Sequence, residues 1–442
     1  MIKFRTCEAK VLFVSMTMPD AMETSKQISA RVQRSVSATP LRRWSWRVKV
    51  LSIGFGFLVA IGILEPALRI LGIGYPNFYE PDPYCGSRLR KGTSGVWTKE
   101  GHGNISINTL GFRGPEIHSK AADVFRIVVV GDSFIEALQV DQAETFCVQL
   151  QNMLNEKSRA VSRTYEVINC GVSGYGTAQE FLLLQNYLIP LNPDAVLLAV
   201  FPENDVRNNS RALEGDLARP YFHLAENGDL VSDMSFRSSR LWTVCDTPYE
   251  RLKAAIVNRS RILQVAQEAK RSSTVQPNPT SSVELNLIAS VNDSRYVYRR
   301  SEIVDPIEKA AWAVTERLIY AFAEECRSHR TNVFLFNVSS SIQAWPDPAL
   351  RKRVALACSV EDFFESEHWL RKVCEKIDVP FFPLASAMQV EAERRGAFLH
   401  GFHNSSEGAG HWNQRGNAVA ARLVSEWLLQ KHLSVWGSGS AR

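Results

Sequence analysis

The 442-residue chain has no Cys-x-x-Cys pair and no cysteine–histidine cluster at zinc spacing, so no structural metal site is expected. Its eight cysteines are scattered at 7, 85, 147, 170, 245, 326, 358 and 374. Cys147 and Cys170 fall in apolar stretches and are expected to pack as small hydrophobes. Cys358 and Cys374 are candidates to pair if the domain lies outside the cytoplasm. Charge imbalance is also slight, with 51 Lys and Arg against 46 Asp and Glu for a formal +5. Part of that excess sits in an N-terminal arm holding Arg31, Arg34, Arg42, Arg43, Arg47 and Lys49, and no nucleic-acid footprint is expected. Global disorder is excluded by a hydrophobic content of 45%.

One long uncharged run does occur, Val50 to Leu64 (VLSIGFGFLVAIGIL). As a helix it spans only about 22 Å, against roughly 30 Å of hydrocarbon. It is extendable through Pro66 to Ile73, because Glu65 and Arg69 stand four apart and can pair on one helical face near the membrane boundary. Basic residues packed before it follow the positive-inside pattern, and no small-residue cleavage site follows it. The reading is a cytoplasmic arm over 1–47 and an uncleaved single-pass anchor over 48–73, with the remainder extracytoplasmic at an inner membrane. Met16, Met18 and Met22 stand as alternative starts.

Beyond the anchor, 74–123 is rich in Gly, Pro and Asn and reads as a lead-in that packs on the main domain. From Arg126 apolar runs alternate with amphipathic ones: strand 126–130, helix 142–157, strand 165–169, helix 177–189, strand 195–201. Such alternation indicates βαβ units and a parallel sheet. The rhythm breaks over 207–305, an insertion whose RSSTVQPNPTSSVE stretch reads as a loop. It resumes with helix 307–328, strand 332–338, helix 360–376, strand 379–382 and helix 414–431. One interrupted α/β domain, 124–206 and 306–434, accounts for this pattern.

Ile127 to Val130 are four β-branched residues in a row, as in a strand buried on both faces, and the run stops at Gly131-Asp132-Ser133. Ser133 then sits at the carboxyl end of a strand and the start of a helix, where ligands and anions bind in open α/β sheets. Serine catalysis also needs a base and donors aimed at the oxyanion. The second strand runs into NCGVSGYGTAQ, where Gly171, Gly174 and Gly176 leave the backbone bare. The third ends in Pro202-Glu203-Asn204-Asp205, which offers a neutral side-chain amide donor. His411 stands just before the final amphipathic helix. Asp132 is expected to shape the turn and to transfer no proton.

These blocks resemble the SGNH hydrolases, the GDSL-type esterase superfamily, and more narrowly its bacterial membrane-anchored members, which share a lead-in like INTLGFRGPE and a block like RIVVVGDSF. The resemblance covers about 106–205 and 330–431. It implies a three-layer α/β/α sandwich with a central parallel, flavodoxin-like sheet. It also implies Ser133 as nucleophile, His411 as base, and an oxyanion hole from Ser133, Gly174 and Asn204, with no metal or organic cofactor. Two departures stand out. Pro202 occupies the place of the family's glycine in the third block. The aspartate that usually precedes the late histidine by two or three residues is replaced by Ala409 and Gly408. The nearest acid is Glu407; either it orients the imidazole, or a backbone carbonyl does and a Ser-His dyad remains.

The resemblance implies two-step acyl transfer by an ester hydrolase, with an acylated carbohydrate as the expected substrate. O-acyl transfer to envelope polysaccharide and a catalytically weak polysaccharide-binding scaffold are the competing readings. Trp412 and the aromatics around Trp242 are candidates for sugar stacking or for burial.

Overall fold

The computed structural model describes residues 45–157, 163–274 and 282–430. Nearly all of the N-terminal arm, Cys7 and the middle of the Ser/Thr/Pro stretch lie outside the described residues. Contacts divide the chain between Ile63 and Leu64 into two units.

A single helix runs Trp46–Ile70 straight through Pro66, about 37 Å long at 1.5 Å per residue, which exceeds the hydrocarbon thickness. Its most apolar 18 residues have mean hydropathy 2.0 and none is buried, so the helix is long and apolar enough to cross a membrane. Glu65 and Arg69 form the expected pair at 2.7 Å.

The second unit opens with two short antiparallel ladders, β1 (Tyr79–Asp82) with β2 (Gly86–Leu89) and β3 (Ser94–Trp97) with β4 (Gly103–Ser106). The central sheet then forms from β5 (Val124–Val130), β6 (Thr164–Asn169) and β7 (Ala195–Val200). A hairpin of β8 (Tyr221–Leu224) and β9 (Leu230–Asp233) follows, and the sheet is completed by β10 (Asn332–Asn337) and β11 (Phe381–Phe382). Spatial order is β6-β5-β7-β10-β11, all parallel. In order of appearance this is 2-1-3-4-5, the flavodoxin-like winding, which reverses direction between β5 and β7 and opens a crevice at their carboxyl ends.

The strands are apolar on both faces because both faces are covered. Val128, Val130, Val196, Leu198 and Leu335 belong to one cluster with Phe181, Leu318, Phe322, Leu370 and Val373. The alternate positions Ile127, Val129, Leu197, Phe334 and Phe336 join Phe146, Leu150, Met388 and Val424 in the other. Period-two alternation thus feeds two helical layers and produces the three-layer sandwich.

Several element boundaries differ from expectation. The helix expected over 177–189 holds α geometry only over Thr177–Leu183 and then opens into a π turn at Leu184–Leu188. The 360–376 helix begins at Glu365, and two unforeseen helices, Pro348–Cys358 and Leu384–Arg395, flank it. The stretch read as a loop is bounded by helices Arg261–Thr274 and Val283–Asp293, which extend into both its ends. Cys358 and Cys374 do not pair: both are free thiols, in separate apolar clusters.

Candidate functional site

Ser133 opens a one-turn helix, Ser133–Glu136, directly after β5. Gly131 lets the turn pack closely on its neighbours, since a Cβ there would lie 2.6 Å from Ile135 and 3.1 Å from Ala199. Asp132 caps the turn, accepting from the Phe134 amide at 3.0 Å, and burial raises its pKa. The helix is stopped from below by Arg113, a buried guanidinium from the lead-in that donates to the carbonyls of Glu136 (2.8 Å), Ala137 and Val140 (2.6 Å). The LGFRGPE segment therefore holds the carbonyl end of the serine's own helix.

His411 lies across from this turn, its Nε2 2.8 Å from Ser133 Oγ. The opposite ring nitrogen, Nδ1, is 2.5 Å from Glu100 Oε2, and the His411 amide donates to Glu100 Oε1 at 2.9 Å. One carboxylate thus grips both ring and backbone. A carboxylate only accepts, so Nδ1 carries the proton and Nε2 is left to accept the serine hydroxyl. Phe134 packs against the ring with centroids 4.9 Å apart.

The expected acid is corrected here. Glu407 is an exposed loop residue, and the carboxylate on the imidazole belongs to Glu100, 311 positions earlier in the chain. Glu100 stands in the turn between β3 and β4, and that turn is tied to the late loop by Asn404. Its Oδ1 accepts from the Gly101 amide and its Nδ2 donates to the Gly101 carbonyl, both at 2.8 Å. Gly410, at φ +83°, leaves room for the carboxylate: a Cβ there would lie 2.2 Å from Glu100 Oε1. Behind it, buried His400 bridges the Gly410 carbonyl (2.8 Å) and Ser339 (3.0 Å). Burial lowers the His400 pKa to about 4, so this second Ser-His pair is neutral framework that braces the peptide before His411.

Burial opposes a charged His411, but the hydrogen bond and negative charge of Glu100 outweigh it and the pKa rises. Conversely, burial pushes Glu100 up while the His411 contacts bring it below its ordinary value, so it is ionised at neutral pH. The sign for activity follows. If His411 must be neutral to act as base, kcat/KM rises with pH through a limb placed above the ordinary histidine value of about 6.5. In Glu100→Gln the residual limb moves to lower pH. A pH profile of ester turnover measures both, and an acidic limb that does not shift in the variant would separate Glu100 from the titrating group.

Asn204 is held by Asp132, its Nδ2 donating to Oδ2 at 2.6 Å, which leaves its second amide hydrogen available. Pro202, the departure from the family pattern, starts helix Pro202–Asn208 at a position where its missing N–H costs nothing, and Asn204 falls at its third residue. Gly174 takes φ +75° and a Cβ there would meet nothing within 4 Å. Its carbonyl accepts from Asn208 (3.0 Å) and Arg219 (2.6 Å). Its loop rests on the serine turn through Val172 N to Gly131 O at 3.1 Å and through Ser173, whose hydroxyl donates to Glu136. Neither the Ser133 nor the Gly174 amide has a protein acceptor among the described residues.

Two cavities flank these groups. One of about 170 Å³ is lined by His411, Phe134, Phe201 and, from the segment between β9 and β10, Leu287, Val291 and Tyr298. The other, about 420 Å³, is lined by Ser173, Gly174, Tyr79, Arg219, Glu214 and Trp242. Trp412 lies outside both linings: it is buried, with its indole N–H on Ser339 at 3.0 Å. Among the described residues no group of three or more His, Cys, Asp or Glu is placed to hold a metal ion.

No family model and no curated protein matches the sequence. Among solved structures, the chain is similar to Axe2, an acetyl-xylooligosaccharide esterase from Geobacillus, at 10% identity and TM-score 0.33, covering 70% of this chain and 94% of that one. It is similar to the acetyl xylan esterase AlAXEase at 12% identity and TM-score 0.33, covering 69% and 99%. TesA gives 12% identity and TM-score 0.33, covering 69% and 97%. Likeness of this size carries no chemistry across; that rests on the side chains described above.

Proposed function

We propose that the protein is an SGNH-type serine ester hydrolase that works through a covalent acyl-enzyme. The observation that carries the proposal is the continuous relay Ser133 Oγ, His411, Glu100, with links of 2.8 and 2.5 Å. His411 takes the hydroxyl proton as Ser133 attacks the ester carbonyl, and Glu100 holds the ring in the tautomer this requires and offsets the imidazolium charge. The amides of Ser133 and Gly174 and the second hydrogen of Asn204 receive the oxyanion. His411 then protonates the departing alcohol, and water activated by the same ring releases the acid. Detergent-solubilised full chain should hydrolyse a chromogenic short-chain ester, and absence of turnover across a panel of acyl lengths would remove the hydrolase reading.

The apolar helix supports a single-pass anchor, and the basic arm before it supports a catalytic unit outside the cytoplasm. A reporter enzyme fused after Arg442 should be active only when it requires export; activity of a cytoplasm-only reporter would reverse the topology. An acylated carbohydrate is supported by the 420 Å³ cavity, where Trp242 stands with Arg219, Glu214 and Asp216 in a mixture of aromatic and polar groups suited to a sugar.

A further inference from the structure

Helix Pro248–Arg259 has twelve residues and buries none of them. Three of its apolar side chains, Tyr249, Leu252 and Ile256, nevertheless share one face at helical spacing and are exposed to 71%, 61% and 52%, while Val257 is half-buried on another face. The preceding helix, Arg240–Cys245, turns Leu241 and Val244 outward in the same way while its Trp242 points into the protein. A helix this short is marginal in water without something to cover its apolar stripe. Nothing within the described chain does so.

Where this helix ends decides what covers it. Its last residue, Arg259, and the turn that follows it, Ser260 to Ile262, are clamped to the end of the apolar N-terminal helix. Glu65 Oε1 accepts from the Arg261 amide at 2.9 Å, and its Oε2 accepts from the Ile262 amide (3.1 Å) and the Ser260 hydroxyl (3.2 Å). Arg69 donates to the Arg259 carbonyl, and Asn258 exchanges hydrogen bonds with the backbone of Asn77 at 3.0 and 3.2 Å. Glu65 is the first charged residue after the uncharged run; on the anchor reading it and Arg69 lie near the outer boundary of the membrane, so the helix carrying the exposed stripe is tied to the chain close to the membrane surface. Arg237 to Arg261 also holds six basic residues, at 237, 240, 251, 253, 259 and 261, against Asp246 and Glu250. An apolar stripe bordered by net positive charge is the composition of a helix that lies in a lipid headgroup layer.

We propose that helices Arg240–Cys245 and Pro248–Arg259 form a second membrane contact, seated in the interface of the anionic bilayer that the N-terminal helix enters. This rests on the reading of that helix as an anchor. The contact gives the catalytic unit a fixed rotation about its tether. It also bears on the site, since Trp242 and Cys245 of the first of these helices line the cavity beside Gly174.

The test uses full-length protein in proteoliposomes of phosphatidylglycerol and phosphatidylethanolamine, in a Cys7→Ser, Cys245→Ser background. An environment-sensitive fluorophore is placed singly at Leu252→Cys, Ile256→Cys, Val59→Cys and Leu356→Cys. Leu356 is an equally exposed leucine far along the chain, at 73%. Labels at 252 and 256 should be blue-shifted and quenched more by shallow than by deep doxyl-lipids, as for a helix roughly 5–10 Å into the interface. The Val59 label should prefer the deep quencher, and the Leu356 label should report water. If 252 and 256 report water while Val59 is quenched, the second contact is wrong and the anchor stands. If Val59 is not quenched, the anchor itself fails. A blue shift at 252 and 256 without lipid quenching would mean a second protein copy covers the stripe, and overturns the proposal.

Discussion

Replacing Ser133 by alanine is expected to lower ester turnover by roughly 10³-fold or more, with the fold intact. The side chain lost is small and sits at a helix start whose geometry is fixed by other groups: Asp132 on the Phe134 amide, Arg113 on the carbonyl end, Gly131 at the bend. Thermal unfolding of the variant should therefore match the parent closely, and the loss should fall on kcat. What remains would reflect the oxyanion donors alone, because the amides of residue 133 and Gly174 are backbone groups that survive the substitution. Equal rates in parent and variant would mean that esters are cleaved elsewhere on the molecule.

The second large effect concerns the acid. Glu100→Gln is expected to lower kcat by about 10²- to 10⁴-fold, while Glu407→Gln leaves it unchanged. Glutamine keeps the shape and can still accept from the His411 amide. Its neutral end, however, no longer fixes Nδ1 as the protonated nitrogen or balances the imidazolium that forms during attack. Rates measured at several pH values distinguish this from simple misfolding, because the loss should be accompanied by the downward shift of the acidic limb. If Glu407→Gln is the damaging change and Glu100→Gln is silent, the ring is held differently during turnover.

The contrast between these two carboxylates shows where sequence was legible. The strands after Arg126 announce themselves because buried parallel strands must be continuously apolar, and Ile127–Val130 and Ala195–Val200 are. Ser133 and His411 stand at the ends or starts of such elements, and the structure brings them within hydrogen-bonding distance. Glu100 carries no such mark. It lies in a short turn between four-residue strands, and its meaning comes only from pairing with a loop more than three hundred residues later through Asn404 and Gly410. The one available signal was negative: the late block lacks the acid beside its histidine, which left Glu407, a backbone carbonyl or a distant segment all open as the group on the ring.

Helix Leu384–Arg395 was illegible for a different reason. It buries Leu384, Ala385, Met388 and Ala392, a face made partly of alanines that reads weakly as an apolar stripe. The segment between β7 and β10 was hidden by its polarity. Its helices wall the cavity at His411 with Leu287 and Val291 and the cavity at Gly174 with Trp242, single apolar residues among many polar ones. The lead-in was visible as a motif, but the purpose of Arg113 was not, since its acceptors are carbonyls of the very turn that presents the serine.

The central claim is that Ser133 becomes acylated by an ester while His411 and Glu100 activate it. The most direct measurement is reaction of the full chain with an alkyl fluorophosphonate, followed by intact mass and peptide mapping. One adduct per chain is predicted, on the peptide containing Ser133, with labelling slowed strongly in Glu100→Gln and absent in Ser133→Ala. A single adduct on any other residue, or undiminished labelling of the Ser133→Ala chain, would contradict it.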